Sequence, residues 1–179
     1  MKLAAVNAVP RFAMGNDNIT NPQDMARSLW EKASDLLKKH GELQPVVFIF
    51  TNEVCFILSA THFMINQNAK EALRELLLEA VKVEKSIVGI AFVMEIWKRT
   101  GDKEELEKLK EEYKSIREYP DKEEGILVQC EWCDNRQYML QAAFKKVNDQ
   151  IVLEEPETAD CYSGRFADLF PPSKGTTVH

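Results

Sequence analysis

The chain has 179 residues, 45% of them hydrophobic and 29% charged, with a formal net charge of −6. That length suits one domain with a real core, or a domain with arms, and the balance is that of a soluble globular protein. An acidic surface argues against polyanion partners, because nucleic-acid affinity leans on clustered Lys and Arg, and no apolar run approaches the ~20 residues of a membrane-spanning helix.

Residues 1–20 read as an irregular N-terminal arm. The opening MKLAAVNAVPRF starts like a secretory leader, but Asn7 and Pro10 break it before a long apolar stretch forms, so a cytoplasmic protein is expected. A helix begins at Asn21, with Pro22 at its first position and Asp24 in its first turn. Met25, Leu29, Ala33, Leu36 and Leu37 recur at helical spacing, and KKHG ends the helix with basic residues and Gly41. QPVVFIF (44–50) and VCFILSA (54–60) are β-branched and aromatic, separated by three residues, and predict a hairpin. A second helix over about 67–83 places Ala69, Leu73, Leu76, Leu77, Ala80 and Val81 on one face. The run 86–98 is the longest strand and is expected at the centre of the sheet.

Residues 101–124 carry ten acids and six bases, and so most of the net negative charge. Asp102 and Glu105 make a capping-box start, and Leu106, Leu109, Tyr113 and Ile116 form a thin stripe, the pattern of a peripheral helix with a solvated face. Then GILVQCEWC and QYMLQAAFKKV alternate at period two around the turn 134–136. IVLEEP (151–156) suggests a short further strand. Residues 156–179 read as a C-terminal arm.

The order is α-β-β-α-β-α-β-β. Hairpins and meanders give an antiparallel five- to six-stranded sheet with helices packed on it, an α+β domain over residues 21–155 between arms 1–20 and 156–179. This element order resembles that of roadblock/profilin-like sheets over about residues 21–148. The resemblance rests on no motif and implies nothing about activity.

Four places invite chemistry. Cys130-Glu131-Trp132-Cys133 is a Cys-x-x-Cys, the spacing of metal knuckles and redox pairs. In an extended strand, however, residues i and i+3 face opposite sides and lie ~10 Å apart, beyond disulfide reach. Cys130 is therefore expected in the core and Cys133 at a loop edge. The alternative is a zinc- or thiol-dependent enzyme using Cys130 and Cys133 with Cys55, Cys161 or His62. The stretch SATHFMINQN puts Ser59 and His62 near Cys55, a nucleophile–base combination, although Cys55 sits within an apolar strand. Glu95 and Trp97 share a face of the long strand. Together with His62 they are the candidate small-molecule ligands, since a charge in so apolar a strand is costly unless satisfied. The plainer expectation for Glu95 is a cationic partner such as Lys145 or Arg99. Finally, Tyr162, Phe166, Leu169 and Phe170 concentrate apolar surface in the C-terminal arm, a docking segment for a neighbouring subunit or a partner, or a tail folded back on its own domain.

These observations favour a non-catalytic cytoplasmic binding or assembly module, with a protein as partner and the chain itself, as a homodimer, among the candidates. No catalytic residue, metal, cofactor, nucleic acid or membrane is expected. The alternatives are a small-molecule sensor with a pocket near Glu95 and Trp97, and the thiol or zinc enzyme above.

Overall fold

The computed structural model describes residues 6–10, 21–99, 101–113, 118–160 and 165–171. Among them are three helices and one antiparallel sheet of eight strands, curled into a half-barrel. The class and the element order are those expected from the sequence.

Helix α1 (Pro22–His40) starts where the sequence places it. Asn21 Oδ1 accepts the Asp24 N–H at 2.9 Å, and Gly41 ends the helix in the left-handed region, φ 77°, its N–H donating to Leu37 O. Strands β2 (Val46–Thr51) and β3 (Val54–Ser59) form the hairpin, with the Thr51 hydroxyl bonded to both the N–H and the C=O of Val54. Helix α2 (Gln67–Val83) is capped by Asn66, whose Oδ1 accepts the Ala69 N–H. Strand β4 (Ile87–Lys98) lies between β2 and β5 (Glu123–Trp132), and β6 (Gln137–Val147) follows β5. Helix α3 (Lys103–Glu112) is peripheral. It ends before Tyr113, which is already extended, and Leu109 is its buried anchor; Ile116 lies outside the described residues.

The strand count exceeds the five or six expected. β1 (Val6–Pro10) arises within the N-terminal arm and pairs with β3, while β8 (Glu157–Ala159) arises within the C-terminal arm and pairs with β6. Strand β7 (Gln150–Leu153) occupies the other end of the sheet, whose order is β1-β3-β2-β4-β5-β6-β7. β1 and β8 are short and marginal, with Pro10 in the first, and such segments become strands only where an edge is there to accept them.

The sheet has a core on each face. On the first, Met25, Leu29, Ala33 and Leu37 of α1 pack on Phe50, Val93, Val128, Cys130 and Trp132. Gly89 opposes Trp132 in the β4–β5 register and makes room for it, since a Cβ there would come within 2.6 Å of the indole. On the second face, Leu73, Leu77 and Val81 of α2 pack on Val47, Leu58, Ile90 and Phe92, and Leu169 and Phe170 complete that core. No helix among the described residues is long and apolar enough to cross a membrane.

Candidate functional site

Strand alternation builds the site. If Val128, Cys130 and Trp132 of β5 face α1, then Gln129 and Glu131 face the other side. They stand in register with Phe92 and Ile90 of β4 and are buried, Glu131 to 1% exposure. A solvated outer face would leave these two polar side chains in water. Here they are covered by the segment 165–171, which packs on the second face with α2.

Both side chains engage the main chain of that segment. Gln129 Nε2 donates to Phe166 O at 2.7 Å, and Glu131 Oε1 accepts the Phe170 N–H at 3.1 Å. The N–H groups of Leu169 and Asp168 also face the carboxylate and favour its charged form. Asp168, at φ 55°, turns the backbone so that successive N–H groups converge. Oε2 nevertheless finds no hydrogen-bond partner among the described residues. Burial is the largest influence on this group and raises its pKa above the ordinary carboxylate value, and the nearby Asp168 charge acts in the same direction.

The side chains of the segment supply the apolar anchors. The Phe166 ring lies over Phe92 at a centroid distance of 4.5 Å, while Ala167, Leu169 and Phe170 are buried. Arg165 secures one end, donating to the backbone and side-chain oxygens of Gln67 and lying 3.7 Å from the Glu71 carboxylate. The arrangement therefore reads a backbone through two polar side chains and reads three apolar side chains through burial, the division of labour of a peptide groove.

No family model, curated protein or solved structure matches the chain. Its function has to be read from its own geometry.

The residues singled out in the sequence are dispersed. Phe166, Leu169 and Phe170 meet in the groove of their own chain; Tyr162 lies outside the described residues, as does Cys161. Among the described residues, no cation pairs with Glu95 as expected. Its carboxylate accepts the Leu43 N–H at 2.6 Å and fastens the loop between α1 and β2, whereas Lys145 pairs with Glu123 and Glu154, and Arg99 with Glu105. Trp97 lies under the Lys122 ammonium, 5.5 Å from the ring centroid. His62 is exposed in the turn Thr61–Phe63. β5 runs to Trp132, so Cys130 is buried on the α1 side, its thiol pKa raised by burial, and Cys133 is exposed in the following turn, its N–H on Val88 O. Cys55 is buried in β3, and Cys130 and Cys133 are free thiols. Among the described residues, no three His, Cys, Asp or Glu side chains converge as a metal site would require.

Glu131 and Gln129 escaped the sequence reading. The signal for them was present: the alternation that buries Cys130 places both on the opposite face, directly across from apolar β4 residues. Apolar neighbours on that face imply a cover, and a carboxylate under a cover has to be satisfied.

Proposed function

We propose that the protein is a non-catalytic binding and assembly module of the cytoplasm. Its working surface is the groove on the second face of the sheet, and the ligand is an apolar peptide segment of a protein partner. The observation that carries this reading is the engagement of Gln129 and Glu131 with main-chain atoms alone. Main-chain recognition accepts any segment of suitable backbone shape, while the beds of Phe166, Leu169 and Phe170 set the side-chain requirement. The resident segment meets it in cis, and the same segment of a second copy meets it in trans, giving a homodimer by exchange. The free thiols of Cys130 and Cys133 fit a reducing compartment.

The test uses a labelled peptide of residues 163–172 and the Leu169→Ala/Phe170→Ala variant, whose own segment is weakened as a competitor. An intramolecular segment competes at an effective concentration on the order of millimolar, so the variant should bind the peptide more tightly than the parent. Adding Glu131→Ala should reduce that binding ~10-fold, the cost of leaving one buried N–H without its acceptor. A folded variant that fails to bind the peptide at about 1 mM would defeat the proposal. Light scattering over a concentration series reports whether exchange produces dimers.

A further inference from the structure

A second cleft lies on the other side of the molecule, between α1 and the edge strand β7, with a volume of about 410 Å³. Trp30 and Leu153 give it apolar walls, and Ser34 lines it at 7% exposure. The Ser34 hydroxyl oxygen is buried and has no hydrogen-bond partner among the described residues. Alanine would fit the helix better there and leave no polar atom unsatisfied. What serine adds is an acceptor at the cleft wall.

The rim is acidic. Glu31 and Asp35 stand four residues apart on α1, the spacing at which like charges repel across a helical turn. Neither makes an ion pair with a described residue, whereas the third carboxylate, Glu154, is engaged by Lys145 at 3.3 Å. Lys38 is the cation among the lining residues, one turn beyond Ser34. An indole wall, a repelling pair of carboxylates and an unmatched hydroxyl acceptor are jointly satisfied by one ligand chemistry. A planar guanidinium stacks on an aromatic face, donates from its edge to carboxylates, and has donors left for a hydroxyl oxygen.

We infer that the α1–β7 cleft binds a guanidinium group on an alkyl stem, with Trp30 as the stacking wall, Glu31 and Asp35 as counter-charges and Ser34 as acceptor. This site is separate from the groove of Glu131 and stands or falls independently of it. The guanidinium reaches it either on a free small molecule or as an arginine side chain of a partner.

Nitrogen-15 NMR of the full chain separates the two. Agmatine represents the free cation, and a blocked Ala-Arg-Ala tripeptide represents the side chain. The Trp30 indole signal, assigned from Trp30→Phe, should shift saturably with a dissociation constant on the order of 1 mM, as for one exposed charged group on an aromatic wall. Tighter binding of the tripeptide identifies a peptide arginine as the natural occupant; equal or tighter binding of agmatine identifies a free cation. Glu31→Gln/Asp35→Asn should weaken binding about 10-fold and Ser34→Ala about 3-fold, while Lys38→Met, which removes the competing cation, should tighten it about 3-fold. No saturable shift by either probe at about 20 mM, or equal shifts in the parent and the Glu31→Gln/Asp35→Asn variant, overturns the inference.

Discussion

Glu131 lies between Cys130 and Cys133, and its environment is more unusual than theirs. Its carboxylate is buried between β5 and the segment 165–171, with one oxygen bonded and the other unmatched. Burial raises its pKa above the ordinary 4.5. The folded chain therefore keeps this proton at pH values where the unfolded chain has lost it, so the group's stabilising contribution is complete below pH 4.5 and disappears as pH rises through the folded value. Glu131→Gln imitates the protonated form and carries no titration. It should match the parent near about pH 4, exceed it in melting temperature near about pH 8, and flatten the profile between. Glu131→Ala removes the acceptor from a buried N–H and should cost about 1–3 kcal/mol near about pH 4 and less near about pH 8, where the parent itself buries a charge. Parallel melting profiles for the parent and Glu131→Gln would show that this carboxylate does not titrate as described. The sequence disclosed the orientation of Glu131, through the alternation of β5, but not its cover, because the covering segment lies more than thirty residues downstream.

At the scale of elements, local patterns were legible and edge pairings were not. Asn21, Pro22 and Gly41 bracket α1 in the sequence as they do in the structure, and the β4–β5–β6 meander follows from its alternation. β1 and β8 have no comparable signature, since their partners β3 and β6 decide them. The segment 165–171 is a similar case: Phe166, Leu169 and Phe170 announce that it packs, without saying where. Ordering its backbone costs about 1–2 kcal/mol per residue, against about 1.5–3 kcal/mol for burying each large apolar side chain. Its docking is thus a local equilibrium, weaker than the fold beneath it. A consequence is a ceiling on damage. Leu169→Ala and Phe170→Ala should each destabilise the chain, yet the double variant should lose little more than the worse single one, because an undocked segment has no further contacts to lose. Urea unfolding gives the three values, and hydrogen exchange at 165–171 should rise in step. Fully additive losses, each of about 2–5 kcal/mol, would mean instead that the segment is integral to the global fold.

For the molecule as a whole, the two cores share one wall. β2, β4 and β5 send alternate side chains to α1 and to α2, so Phe50 and Val93 serve one core while Val47 and Phe92 serve the other. Loss of either layer exposes one face of the same strands, and the sheet has no reason to persist half covered. Leu29→Ala beneath α1 and Leu73→Ala beneath α2 each empty a buried site and should cost about 2–5 kcal/mol. The two side chains touch different faces and share no neighbour within one core, so the double variant should lose nearly the sum, within about 0.5 kcal/mol. Cooperative unfolding should nevertheless survive in each single variant, with fluorescence and far-ultraviolet dichroism reporting the same midpoint. Separate transitions, with Trp132 fluorescence on the α1 side responding only to Leu29→Ala, would mean that each helical layer folds on the sheet independently. The shared strands make the opposite outcome the expected one, because β4 cannot lose its cover on one side without exposing the residues that position the other.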